Sequence, residues 1–120
     1  MLDKTYDLEQ RTFEVAKEIR LFIKDLPHTI ANKEDTKQLV RASGSIGANY
    51  IEANEAFSKK DFIYRIKISR KEAKESIYWL KLIKESNKRD NKNTADSLLI
   101  ELEEIRKILS SIINKTELKT

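Results

Sequence analysis

Cysteine is absent from the 120-residue chain, and glycine (2), proline (1), histidine (1) and tryptophan (1) are nearly so. Without cysteine there is neither a disulfide framework nor a zinc–thiolate site, and a single histidine removes most imidazole-based metal sites. Average usage is about 7% glycine and 5% proline, so breakers this scarce leave little to form the tight turns of an all-β or βαβ fold. Long apolar runs are missing too. Stretches such as Leu98 to Ile100 fall far short of a membrane span, and Met1 to Arg20 is too charged for a signal peptide. What is abundant is charge, 37% of residues, beside an apolar fraction of 39% that still suffices for a core. One domain is expected, burying roughly two-thirds of its unfolded surface. The composition predicts a soluble, cytoplasmic, all-helical protein.

Four periodic segments follow. Leu8, Thr12, Val15, Ile19, Phe22 and Leu26 recur three and four apart, with Phe13, Ala16 and Ile23 widening the stripe, and Pro27 stops this first helix. Asn32, with Asp35 three residues on, is the expected cap of a second helix from about Lys33 to Ala56. Its stripe of Leu39, Val40, Ser43, Ile46, Gly47, Tyr50, Ala53 and Phe57 is rich in small residues. Ser58 with Asp61 caps a third segment, Lys59 to about Lys88, about 45 Å long. The polar stretch Asn87 to Asn93 ends it, and Thr94 is the expected cap of the fourth helix. There Ala95, Leu98, Leu102, Ile105, Leu109 and Ile112 keep a/d spacing beside Leu99 and Ile113. One broad apolar face per helix and short connections predict an all-α, antiparallel up-down-up-down four-helix bundle. It forms a single domain with a frayed tail from about Thr116 to Thr120, and no internal repeat is visible.

The third segment stands apart. Besides its core stripe (Phe62, Ile66, Ala73, Ile77, Leu80) it has a second apolar set, Tyr64, Ile68, Tyr78, Trp79 and Leu82, which a lone bundle leaves exposed. Such a patch suggests an oligomer interface; a core wide enough for both sets is the plain alternative. The segment also holds the charge. Residues 58 to 90 contain eleven basic and five acidic residues while the rest of the chain is slightly acidic, so the net +4 arises here alone. Lys60, Lys67, Lys74 and Lys81 recur every seven residues on a slowly drifting line, with Lys71, Lys84 and Lys88 close by. A basic line of this length is able to follow the phosphate backbone of RNA or DNA. Balanced by Glu72, Glu75 and Glu85, the same line is equally well a solvated face. Repeated around an oligomer, its field adds.

Gly44 and Gly47 each cost about 1 kcal/mol of helix propensity, which makes sense where another helix approaches closely. Asn49, Glu52 and Glu55 stand where pairing with Arg65, Arg70 or Lys74 would form a structural polar clamp, centred on Asn49, Glu52 and Arg70, that fixes register. An enzymatic alternative rests on Glu52, Glu55, Glu72 and Glu75, since Glu-x-x-Glu pairs on neighbouring helices bind Mg²⁺ in helical nucleotide pyrophosphohydrolases. In a chain with 20 acidic residues such spacing arises often. A di-iron centre needs Glu-x-x-His pairs, and His28 sits in the turn after Pro27. Ser43, Ser45 and Ser69 have no helical histidine as base, and no Gly-rich phosphate loop occurs. Trp79 and the tyrosines can stack on bases, yet aromatics at helical spacing more often serve core or interface. The expectation is a protein that is not an enzyme and has no cofactor or metal.

The stretch Arg41-Ala-Ser-Gly-Ser-Ile-Gly-Ala-Asn-Tyr-Ile-Glu-Ala-Asn-Glu-Ala-Phe-Ser-Lys-Lys-Asp-Phe, then Arg65-Ile-Lys-Ile-Ser-Arg-Lys-Glu-Ala-Lys-Glu-Ser and Tyr78-Trp-Leu, resembles a bacterial four-helix-bundle family. That family is named after proteins encoded in intervening sequences of 23S ribosomal RNA genes. The likeness extends to Tyr6-Asp-Leu-Glu-Gln-Arg-Thr-Phe and Lys37-Gln-Leu upstream, covering about residues 6 to 85. It implies a cytoplasmic bundle assembled as a ring-shaped homopentamer with a basic surface, for which nucleic-acid binding has been proposed. A related member is the accessory partner of a reverse transcriptase in diversity-generating elements, so a protein partner is a further expectation. No catalytic residue carries over.

Overall fold

The computed structural model describes residues 4–87 and 92–118. They form α1 (Lys4–Ile23), α2 (Ile30–Asn54), α3 (Lys59–Ser86) and α4 (Lys92–Leu118). Each helix packs on its neighbour in sequence, α4 closes back on α1, and the backbones of the diagonal pairs stay farther apart, so this is the up-down-up-down bundle. Cross-helix bonds fix the antiparallel sense. Ser69 Oγ donates to Ile46 O at 2.7 Å and Arg65 Nη1 to Asn49 Oδ1 at 3.4 Å, while Arg70 Nη1 reaches Ser110 Oγ at 3.3 Å. No helix among the described residues is long and apolar enough to cross a membrane.

The helix ends follow local chemistry, with three corrections to the sequence reading. Thr29, not Asn32, caps α2: its side chain accepts from Asn32 N at 3.1 Å. Pro27 has no N–H to give, and the chain turns into helix by Ile30, which carries Asn32 inside the first turn and Asp35 beyond it. Asn32 instead spends its side chain on a cross-helix pair. Its Nδ2 donates to Asn87 Oδ1 and Asn87 Nδ2 donates back to Asn32 Oδ1, both at 2.8 Å, with further bonds to Pro27 O (2.9 Å) and Ile83 O (2.7 Å). This neutral amide pair joins the start of α2 to the end of α3. Ser58 does cap α3, accepting from Asp61 N at 3.1 Å. α4 starts at Lys92, ahead of Thr94, and runs helical through Thr116 to Leu118; the last two residues of the expected frayed tail, and Lys88 of the basic group, lie outside the described residues.

The core follows the expected stripes, with Tyr50, Leu39, Ile46, Ile66, Leu80, Leu102, Ile105 and Leu109 at its centre, but adds Ile83 of α3 and buries Ile113 in preference to Ile112 at the end of α4. Phe13 and Phe57 are not part of it. Phe57 lies past the C-cap Glu55, where helical periodicity no longer places it. Phe13 is 63% exposed because α1 and α2 approach along the neighbouring line: a Cβ on Gly47 would stand 2.9 Å from Thr12 Oγ1. The helix that Gly47 admits is therefore α1. Further along, Arg11 clamps α1 to α4, its Nε and Nη2 donating to Glu101 at 2.8 and 2.6 Å and Nη2 also to Glu104 at 2.8 Å. The Glu101 hydrogen bond, with Glu104 adding, raises the guanidinium pKa above its ordinary value. Arg11→Ala should lower stability by about 1–2 kcal/mol, the value of charge-assisted bonds discounted for partial exposure. Urea unfolding at low and high salt checks this, and the loss should shrink at high salt.

Candidate functional site

The solvent face of α3 concentrates what the rest of the bundle disperses. Residues turn by about 100° each along the helix, so Tyr64, Lys71 and Tyr78 point directly outward and Lys60, Lys67, Lys74 and Lys81 drift along the flank next to α4. All five lysines are exposed. Lys67 meets Glu117 at 3.3 Å, whereas Lys60, Lys71, Lys74 and Lys81 have no ion pair among the described residues. The carboxylates expected to balance them are committed elsewhere. Arg41 of α2 holds Glu72 at 3.5 Å and Glu75 at 3.0 Å on the opposite flank. Glu85 lies 4.0 Å from Lys84, which hydrogen-bonds Asp96, and that bond raises the lysine pKa. Arg41 organises this flank, and the sequence reading did not single it out. Its signal was legible: Arg41 and Glu75 sit about equally far on either side of the α2–α3 turn.

The clamp is assembled in part. Asn49 accepts from Arg65 and donates to Ser45 O at 2.9 Å, but Arg70 turns to α4, and Glu52 and Glu55 are exposed without ion pairs among the described residues. The correction has a simple cause. Near the end of α2 both side chains stay in solvent, and Arg65, the nearest arginine in register, is spent on Asn49. The four carboxylates of the enzymatic alternative are likewise not gathered. The register that puts Ser69 beside Ile46 leaves Glu52 and Glu72 about 14 Å apart along the axis. No group of three or more His, Asp or Glu among the described residues is placed to hold a metal ion.

The apolar set divides. Tyr64 (58%), Tyr78 (59%) and Leu82 (39%) are exposed. Ile68 and Trp79 are half-buried on the α2 flank, and Trp79 packs on the core while meeting Tyr78 edge-to-face, centroids 5.0 Å apart. A separate groove of about 690 Å³ lies between α1 and α2, lined by Phe13, Ala16, Gly44, Gly47, Ala48 and Ile51 among others. It is a by-product of the small residues that bring those helices together. His28 is exposed beside Pro27.

Comparison with known proteins adds three findings. A family model described as 23S rRNA-intervening sequence protein matches residues 4–111. A solved structure from Bacteroides thetaiotaomicron, a protein with unknown function from the S23 ribosomal protein family, is similar to the chain. Its TM-score is 0.81 and its identity 33%, over 93% of this chain and 99% of that one. No curated protein matches.

Proposed function

The chain belongs to the 23S rRNA-intervening sequence protein family, and from that premise we propose that it is a non-enzymatic nucleic-acid-binding protein that acts through the lysine face of α3. One observation carries the reading. Arg41 engages Glu72 and Glu75, which leaves Lys60, Lys71, Lys74 and Lys81 as unneutralised cations along one helix. Aligned cations of this kind displace counterions from a phosphate backbone, a source of affinity that needs no base reading. A Mg²⁺-dependent hydrolase has less support, because its candidate carboxylates stand apart or on arginine.

Replacing Lys67, Lys74 and Lys81 together with Gln preserves helix propensity and removes three charges per chain. Binding of labelled RNA or DNA, measured by anisotropy across a salt series, should weaken. The slope of log affinity against log salt should flatten by about 0.9 for each duplex phosphate that a lysine no longer neutralises. Equal affinity of parent and triple variant at low salt would abolish the proposal.

Self-association belongs to the same reading: a cytoplasmic, ring-shaped homopentamer, joined through the Ile68, Trp79 and Leu82 flank of α3. That flank presents Ile68, Trp79 and Leu82 beside the Arg41–Glu75 pair and lies off the main lysine line, so assembly there repeats the cations around the ring. Leu82→Asp should reduce the particle mass, since a charge buried in an interface costs several kcal/mol. Light scattering that finds the parent monomeric at micromolar concentration would remove the oligomer from the proposal.

A further inference from the structure

Two stretches of α3 share a short pattern that the sequence reading, which saw no internal repeat, passed over. Lys60-Asp-Phe-Ile-Tyr-Arg-Ile-Lys and Lys74-Glu-Ser-Ile-Tyr-Trp-Leu-Lys share the pattern Lys-x-x-Ile-Tyr-x-apolar-Lys at a spacing of fourteen residues. Two heptads return a helix to nearly the same direction, drifting by about 40°, so both copies face one side about 21 Å apart. The fold exposes both rings alike, although Lys67 of the first copy meets Glu117 while Lys81 of the second has no ion pair among the described residues. Tyr64 and Tyr78 are 58% and 59% exposed. A shallow hollow of about 400 Å³ lies against Tyr64 and Lys60, and another of about 410 Å³ against Tyr78 and Lys74. In each copy the residue after the tyrosine steadies its ring: the Arg65 guanidinium lies 6.0 Å from the Tyr64 centroid, and Trp79 meets Tyr78 at 5.0 Å and 80°. In each copy one lysine stands a turn before the ring and one a turn after.

We propose that these copies are a tandem pair of stacking sites for single-stranded nucleic acid, each tyrosine taking the face of one base while its two lysines take neighbouring phosphates. The inference rests on the nucleic-acid reading above and narrows it to unpaired strands. In a duplex the base faces are hidden inside the stack, and a ring protruding from a convex helix meets only backbone. An unpaired strand offers both groups at once, and its negative backbone complements a face with four unpaired lysines. Every base has a π-face, so the sites are tolerant of sequence and indifferent to the sugar. An isolated exposed tyrosine would need no explanation; a repeated tyrosine, each time with flanking lysines and a hollow beside it, does.

The test compares the parent, Tyr64→Ala/Tyr78→Ala and Tyr64→Phe/Tyr78→Phe by anisotropy. The probes are oligouridine and oligothymidine of about 16 nucleotides, a duplex of that length, and an abasic strand with phosphates but no bases. The alanine pair should bind both single strands about five- to a hundredfold more weakly per ring and leave duplex binding, abasic binding and the salt slope unchanged. Phenylalanine should restore the parent affinity. Alanine variants as tight as the parent on single strands, with lysine-dependent binding intact, would overturn stacking and leave the lysine reading standing. A parent that binds none of the four probes at low salt would overturn both. Binding of oligouridine alone would assign recognition to the 2′-hydroxyl instead of the base face and overturn the proposal. A fall in particle mass for the alanine pair would make the tyrosines interface residues and overturn it as well.

Discussion

Leucine in place of Gly47 should cost more than about 3 kcal/mol and lower the melting temperature by about 10 °C or more. The reason is a contact with no slack. Even a Cβ at this position would meet Thr12 Oγ1 at 2.9 Å and Thr12 Cβ at 3.3 Å, and Thr12 is fully buried with its hydroxyl bonded to Glu9 O at 2.9 Å. A branched side chain there must push α1 away from α2 and loosen Leu8, Val15 and Ile19, each of which contributes about 1.5–3 kcal/mol when fully buried. Gly44, one turn earlier, predicts the opposite sign. Its nearest obstacle is Arg20 Nη2 at 3.1 Å, the end of a flexible side chain, so Gly44→Ala should gain up to about 1 kcal/mol of helix propensity. Thermal melts followed by circular dichroism compare the two. A Gly47→Leu protein melting with the parent would mean that α1 does not depend on this close approach.

Removing Arg41 should be costly alone and nearly harmless in combination. Glu72 is only 7% exposed, its Oε1 accepts no hydrogen bond, and its cation is Arg41 Nη1 at 3.5 Å. Arg41→Ala strands that carboxylate and should cost about 2 kcal/mol, below the 3–5 kcal/mol of fully buried pairs because the arginine is half exposed. Arg41→Ala with Glu72→Met removes both charges and should recover most of the loss, since a packed apolar replacement of a buried pair is often neutral or stabilising. A double-mutant cycle in urea reads the coupling, expected at about 1 kcal/mol or more. Strictly additive costs would show that Glu72 draws its stability from elsewhere.

Much of the fold was legible in the sequence because its signals are local or periodic. Pro27, the Ser58–Asp61 cap and the a/d spacing of α4 each act within one or two turns. Tertiary competition made the rest illegible. Asn32 is a good cap by type, but Thr29 reaches the free amides first and Asn87, 55 residues away, claims the side chain. Glu52 matched the clamp by spacing alone, which cannot say toward which neighbour a side chain projects. At the candidate site the lysine line was plain from its heptad spacing. Its freedom from Glu72 and Glu75 was not, because that depends on Arg41 lying across the helix pair. The duplicated Lys-x-x-Ile-Tyr pattern is in the letters too, but with four identities in eight residues it is too short to read as an internal repeat.

The amide pair of Asn32 and Asn87 carries no net charge, whereas Arg11 ties α1 to α4 through ions. Screening lengths shrink from about 30 Å at 0.01 M to about 3 Å at 1 M salt, so only the second tie weakens as ionic strength rises. The bundle therefore has a preferred order of opening. In concentrated salt the amide protons of α1 should exchange with solvent ahead of those of α2 and α3, which the neutral pair and the Ser69–Ile46 bond keep together. The neutral amide pair and the Ser69–Ile46 bond thus hold the lysine-bearing helix on α2 even where the ions that compete for its ligand screen Arg41 from Glu72 and Glu75.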